Sequence, residues 1–186
     1  MADVAHNVGN FASNVVKGGA RPHLFEVTGS IGAGSSAPNN LKTFLIKAAQ
    51  LPASSLGIIE VPFRGRKVKI PGDRTFAEWT ITVISDGDFK LRKDFEKWSQ
   101  AINAHVANTS SDTAHQPVAA SSVYQDWNIK QLDRQGNKVT EYEFVGCWPS
   151  EISAMEVNYE TTDTIHEFTV TLQYTYWTNA ETTDIN

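Results

Sequence analysis

Apolar and polar residues alternate along most of this chain with a period of two. Over residues 165–177, His166, Phe168, Val170, Leu172, Tyr174 and Tyr176 fall on one face, and Glu167, Thr169, Thr171, Gln173 and Thr175 on the other. That pattern predicts a half-buried strand. Residues 75–84 read the same way, with Trp79, Ile81 and Val83 on one side of a β-branched, aromatic run. Phe25 and Val27 alternate with Glu26 and Thr28, just after Pro22, which biases Arg21 toward an extended shape. Residues 57–63 and 66–70 predict two strands joined at Arg64-Gly65. In the second of these, Val68 and Ile70 alternate with Lys67 and Lys69, so one face of the hairpin is expected to be basic and exposed. Residues 121–132 and 138–147 predict another hairpin around 133–137. Residues 41–48 and 155–159 are shorter strand candidates.

Helical spacing occurs twice. Phe89, Phe95, Trp98 and Ile102 form one stripe, with Lys90, Arg92, Lys93, Glu96 and Lys97 opposite, and Asp86-Gly87-Asp88 offers N-cap residues in front. Val4, Val8, Phe11 and Val15 form a thinner stripe that stops at Gly18-Gly19, which suits a segment that orders on a partner. Residues 29–40 and 107–120 are loops by composition. Residues 178–186 hold little to bury. The sum is a mainly β protein, an antiparallel sandwich or barrel with one flanking α-helix, without βαβ rhythm or internal repeat. The expected organisation is an interaction arm over 1–19, a β domain over 20–177 and a polar tail over 178–186.

At 186 residues the chain has the length of one domain and can build a core without staples. Five tryptophans point to large buried or interfacial contacts. The net charge of −5 is the opposite of what a nucleic-acid gripper shows, and the one basic cluster, Arg64, Arg66, Lys67 and Lys69, is short. The single cysteine, Cys147, rules out an intrachain disulfide and fits a reducing compartment. No stretch approaches the ~20 apolar residues of a membrane span, and residues 1–14 lack the basic flank and apolar run of a secretory signal.

Gly29-Ser30-Ile31-Gly32-Ala33-Gly34-Ser35-Ser36 nearly spells a phosphate-binding loop, but Ser35 stands where the phosphate lysine belongs. Gly32, Gly34 and Ala37 fit a looser dinucleotide pattern, yet Pro38-Asn39-Asn40 opposes the helix that both need. The segment therefore reads as a flexible loop. His6, His23, His105, His115 and His166 have no ligand spacing among them, and Cys147 has no CxxC partner and suits a small buried role beside Trp148. Glu141 and Glu143, two apart on a strand, share a face that reads as solvated rather than as an acid/base pair. Glu156 and Glu160, four apart, are a second pair of carboxylates. Asp73 and Arg74 fall in Pro71-Gly72-Asp73-Arg74-Thr75, a turn candidate in which they brace the turn or contact a neighbouring subunit. No catalytic, cofactor or metal site is expected.

The order of motifs is more informative than any one of them. Arg21-Pro22-His23-Leu24-Phe25-Glu26-Val27 is followed by Lys47-Ala48-Ala49-Gln50-Leu51-Pro52, then Pro71-Gly72-Asp73-Arg74-Thr75-Phe76 and Trp79-Thr80-Ile81-Thr82-Val83. Phe95-Glu96-Lys97-Trp98, Gly146-Cys147-Trp148-Pro149 and Ile165-His166-Glu167-Phe168 complete the series. The series resembles the tail-tube proteins of contractile-tailed bacteriophages over nearly the whole of residues 20–177. The Gly-Asp-Arg-Thr-Phe with its following Trp, and the Gly-x-Trp-Pro, carry most of the resemblance. The loops 29–40 and 104–120 and the tail beyond Trp177 look longer than that family's pattern. The resemblance implies a sandwich or barrel with a helix at its side, hexameric rings stacked into a hollow tube inside a contractile sheath, and passage of double-stranded DNA. It implies sheath, baseplate, tape-measure and tail-terminator partners, a place in the virion tail, and assembly in the host bacterial cytoplasm, with no cofactor and no membrane anchor. Subunit contacts are expected from Arg66, Lys67 and Lys69 on the hairpin, from Asp73 and Arg74 in the turn candidate after it, and from Val4, Val8 and Phe11. Glu141, Glu143 and Glu167 are the candidates for the lumen. The inner tube of a type VI secretion machine or a phage-tail-like bacteriocin is the alternative of the same fold, and a small β-barrel enzyme or ligand binder the alternative of another class.

Overall fold

The computed structural model describes residues 19–32, 45–110 and 123–182. The stripe of Val4, Val8 and Phe11 lies outside the described residues, as do Gly34, Ala37 and most of the loops over 29–40 and 107–120. In chain order the strands are β1 (Phe25–Gly29), β2 (Ile46–Ala49), β3 (Ser55–Phe63), β4 (Arg66–Thr75) and β5 (Trp79–Ile84). Helix α1 (Lys90–Ile102) follows, then β6 (Gln125–Leu132), β7 (Lys138–Ile152), β8 (Glu167–Gln173) and β9 (Tyr176–Asn179). Every pairing is antiparallel, in the order β1-β6-β7-β8-β5-β2, with β9 also on β7 and with β3–β4 as a separate ribbon.

Strand β7 belongs to two sheet halves. Its first part pairs β6 and β9, and its last part, from Trp148, pairs β8. Between them Gly146 takes φ 71°, a conformation open to glycine, and its N–H donates to the Asp126 carboxylate at 2.9 Å. A register shift in β6–β7 sits at the same place. The bulge and the glycine turn the strand, so β1-β6-β7-β9 folds over β7-β8-β5-β2. Val27, Trp127, Ile129 and Phe144 from one half meet Trp79, Ile81, Val83, Phe168, Val170 and Leu172 from the other, all buried in one cluster. The Trp79 ring stacks on Phe144 at 4.2 Å and meets Trp127 edge-on at 6.0 Å. This is the expected sandwich, and the alternation that predicted β5 and β8 is the alternation of burial along them.

Helix α1 closes one side. Leu91, Asp94, Phe95 and Trp98 turn inward, and Phe95 touches rings from both halves, Trp127 at 6.3 Å and Phe168 at 6.2 Å. Trp98 Nε1 donates to the Val123 carbonyl at 2.6 Å.

Several boundaries differ from the sequence reading. No side chain caps α1: Asp86 and Phe89 form a turn, with Phe89 N–H on the Asp86 carbonyl at 3.0 Å, and Phe89 enters the helix at φ 54°. The long strand expected over 165–177 is two strands. Tyr174 and Thr175 break it, and β9 pairs β7 instead of continuing beside β5. β9 runs past Trp177: Asn179 is buried and donates from Nδ2 to Thr140 Oγ1 at 3.1 Å. Residues 155–159 are not a strand. Val157 and Tyr159 point into solvent with no ladder partner beside them.

Candidate assembly surfaces

The β3–β4 ribbon is the least expected feature. It is longer than predicted on both strands, and every residue in it is exposed except Gly72, which is half-buried. Arg64 and Gly65 take φ 46° and 82°, the two positive values of a type I′ turn, whose twist matches a hairpin. Register sorts the side chains into two faces, since residues directly opposite point the same way. One face holds Ile59 with Ile70, Val61 with Val68, and Phe63 with Arg66. The other holds Glu60 with Lys69, Pro62 with Lys67, and Ile58 with Pro71. Lys67 Nζ pairs with Glu60 at 2.5 Å on that second face, so the basic surface expected there carries an acid within it.

Residues 71–75 are strand, not the expected turn. A two-stranded ribbon has only edges, and an edge beside a bulge tolerates proline. The bulge opposes Gly57 to Gly72 and Asp73, where the backbones pass so closely that a Cβ on Gly57 would sit 3.3 Å from the Asp73 carbonyl oxygen. Beyond it Arg74 lies opposite Leu56, and its guanidinium donates to Ser54 Oγ at 2.8 Å. Asp73 and Arg74 thus stand at the foot of a projecting ribbon. The structure collects Arg66, Lys67, Lys69, Asp73 and Arg74 on one arm, and what the sequence did not show is that, among the described residues, no core covers the arm's apolar face. Phe63 is 63% exposed, and the Arg64 guanidinium lies 5.5 Å from its ring.

The three lumen candidates are not together. Glu141 and Glu143 share the outer face of the β6–β7–β9 half. Glu141 bonds Lys138 Nζ at 2.8 Å, with Lys130 at 3.6 Å. The Lys138 hydrogen bond, with the Lys130 charge behind it, outweighs partial burial and lowers the Glu141 carboxyl from its ordinary value. Glu143 borders a shallow depression with Asn128 and Thr178. Glu167 stands on the other half, at the start of β8, and accepts from Lys47 Nζ at 2.6 Å. A further depression, about 390 Å³, opens between the β6–β7 turn and the chain's entry, lined by Gly19, Ala20, Leu24, Leu132 and Val139 among others.

Of the glycine-rich segment, Gly29 and Gly32 lie among the described residues and have a packing role. A Cβ on Gly29 would lie 2.2 Å from the Trp127 ring, and one on Gly32 would lie 2.2 Å from Trp98 Nε1. Both glycines let backbone pass against a buried indole. Cys147 is buried, and burial first, then the nearby Asp126 charge, pushes its thiol pKa well up. Among the described residues no three His, Cys, Asp or Glu side chains gather as metal ligands, and no helix is long and apolar enough to cross a membrane.

The family model described as phage tail tube protein matches residues 15–180. The chain is 34% identical over 159 residues to the tail tube protein gp19 of Enterobacteria phage T4, which covers 85% of this chain and 90% of that protein. It is 27% identical over 171 residues to the tail tube protein of Serratia phage KSP90, covering 90% of this chain and 93% of that one. Among solved structures, a chain of the PVC extracellular contractile injection system, in its extended sheath-tube complex, superposes with a TM-score of 0.60 over 94% of this chain and 98% of that one, at 15% identity. That last likeness shows the fold. With a family match across nearly all of the described domain, and relatives matched along most of their length, the chain belongs to the phage tail tube protein family.

Proposed function

We propose that this chain is the structural subunit of a contractile phage tail, forming hexameric rings that stack into the hollow tube through which double-stranded DNA leaves the capsid. The observation that carries the reading, within that family, is the β3–β4 ribbon: an exposed apolar face with no cover among the described residues marks a surface built for another copy. Rings need heterologous patches, in which one surface meets a different one on the neighbour. Arg66, Lys67, Lys69, Asp73 and Arg74 supply part of these contacts from the ribbon. Val4, Val8 and Phe11, on the segment that precedes Gly19, supply another part. Residues 1–19 then act as an interaction arm, and the β domain starts at about residue 20.

The lumen acids are Glu141 and Glu143, with Glu167 the weaker candidate because it stands on the opposite half. Lys130 and Lys138 are held by Glu141, which keeps their charge from gripping passing phosphates. Partners in this role are the sheath, baseplate, tape-measure and tail-terminator proteins. Assembly takes place in the host bacterial cytoplasm and the product resides in the virion tail. The role uses no enzymatic chemistry.

The second reading, an inner tube of a related injection machine, is favoured by one observation, the shared fold with the PVC chain. Identity of 34% to a phage relative against 15% to that chain weighs for the phage. Negative-stain electron microscopy of the purified protein across a concentration series, with and without a baseplate seed, tests the proposal. Rings or hollow tubes of uniform width support it. A monomer at every concentration that also fails to grow from the seed overturns it.

A further inference from the structure

Both feet of the β3–β4 ribbon are tied to one corner of the body, the break between β8 and β9. On the first foot, residues 50–54, the Ala53 carbonyl accepts from Trp177 Nε1 at 3.2 Å and the Gln50 carbonyl accepts from Trp79 Nε1 at 2.7 Å. On the second foot, residues 76–78, the Phe76 ring lies 6.0 Å from that of Tyr174, and the Glu78 carboxylate accepts from Gln173 Nε2 at 3.3 Å. Gln173 closes β8, Tyr174 stands in the break, and Trp177 lies on β9.

The corner is held in its turn by the core. Thr175 N–H donates to the Val145 carbonyl at 2.9 Å. Tyr174 meets Phe144 edge-on at 5.0 Å, Phe144 stacks on Trp79, and Trp177 meets Tyr142 edge-on at 5.5 Å. Ring contacts therefore run from Phe76 on one foot through Tyr174 and Phe144 to Trp79, whose N–H holds the other foot. The ribbon's strands pair only each other, and every residue in them but Gly72 is exposed. Among the described residues its attitude to the body is thus set at this root. Trp177, which holds the root, sits on a strand that pairs β7 alone, so the far edge of β9 carries no strand among the described residues.

We propose that the β8–β9 corner is a clamp that couples the ribbon to the edge strand β9. Trp177 and Tyr174 fix the ribbon's attitude, and whatever orders or loosens β9 orders or loosens the ribbon's root with it. Such coupling is reciprocal, so a change made on either side is felt on the other. It needs a contiguous set of packed rings and hydrogen bonds, which the corner supplies. Trp177 acts here as a positioning residue: a phenylalanine in its place keeps a ring against Tyr142 and loses only the N–H that holds Ala53.

Both directions of the coupling are measurable in the unassembled subunit, so the result does not depend on tubes. Nitroxides at Lys69→Cys on β4 and Lys90→Cys at the start of α1, two exposed sites, report the ribbon's attitude by pulsed electron paramagnetic resonance, and buried Cys147 stays unlabelled. The parent is expected to give one narrow distance distribution, and Trp177→Phe one about two-fold wider, with unchanged far-UV circular dichroism. In the other direction, Phe76→Leu, made on the ribbon's side, is expected to speed amide exchange over Tyr176–Asn179 by about five-fold while β5 exchanges as before. A parent distribution already broad, a Trp177→Phe distribution as narrow as the parent's, or β9 exchange that Phe76→Leu leaves unchanged overturns the coupling. Equal loss of protection in β5 overturns it too, because it marks general loosening of the core. The Phe76→Leu measurement decides alone if Trp177→Phe does not fold.

Discussion

Two phenylalanines separate the core from the projecting ribbon, and their truncation has opposite expected consequences. Phe95 is fully buried and meets three other rings, Trp98, Trp127 and Phe168, at 6.2 to 6.3 Å. Phe95→Ala removes the ring that ties α1 to both sheet halves. Truncations of this kind cost about 3–5 kcal/mol, transfer and cavity together. For a domain of 150–250 residues each kcal/mol lowers Tm by about 2–4 °C, so the loss is about 6–20 °C. That is a large part of the ~5–15 kcal/mol that holds a typical domain folded. Phe63 is 63% exposed at the ribbon tip, and Phe63→Ala should change subunit stability by less than about 0.5 kcal/mol. Its effect belongs to assembly. Thermal melts followed by near-UV circular dichroism, at a concentration low enough to keep subunits apart, give the first quantity, and tube counts by negative stain give the second. A Phe63→Ala chain that melts as early as Phe95→Ala would show the ribbon folded onto the body and refute the reasoning. So would a Phe63→Ala chain of normal stability that builds tubes as well as wild type.

Gly32→Ala should lower stability by about 1–3 kcal/mol, read as a Tm loss with altered Trp fluorescence, because the new Cβ falls 2.2 Å from the immobile Trp98 Nε1. Cys147 should resist thiol reagents at pH 8 in the folded subunit and react at the rate of unfolding, since burial raises its pKa and hides it. Glu141 has a folded-state pKa below its unfolded one, so its stabilisation is present above the unfolded value and is lost as pH falls through the folded value. Glu141→Gln should therefore cost about 0.5 kcal/mol at pH 7 by denaturant titration, with the gap to wild type closing toward pH 3. A gap that widens in acid would contradict the Lys138 and Lys130 pairing.

The sequence determined what repeats locally. Burial on alternate residues wrote β5 and β8 into Trp79, Ile81, Val83 and Phe168, Val170, Leu172, and the 3–4 spacing of Leu91, Phe95 and Trp98 wrote the helix. Turn chemistry placed the Arg64-Gly65 reversal, because a type I′ turn needs two positive φ values side by side. The family's order of motifs was legible for the same reason, as runs of neighbouring residues.

Tertiary structure decided whatever depends on which surface ends up opposite another. Ile59, Val61 and Phe63 alternate as a core strand would, yet no second layer among the described residues reaches them, so the same pattern marks an outward surface. Met155, Val157 and Tyr159 alternate too, but β8 pairs β7 only as far as Ile152, which leaves them without a ladder. Pro71 and Gly72 signal a turn in one dimension and a tolerated bulge in a ribbon that is all edge. Glu167 shares a residue type with Glu141 and Glu143, and the bend of β7 at Gly146 sends it to the opposite half. Alternation records only that a side of a strand is apolar; the long-range pairings fix whether that side meets its own chain or another copy.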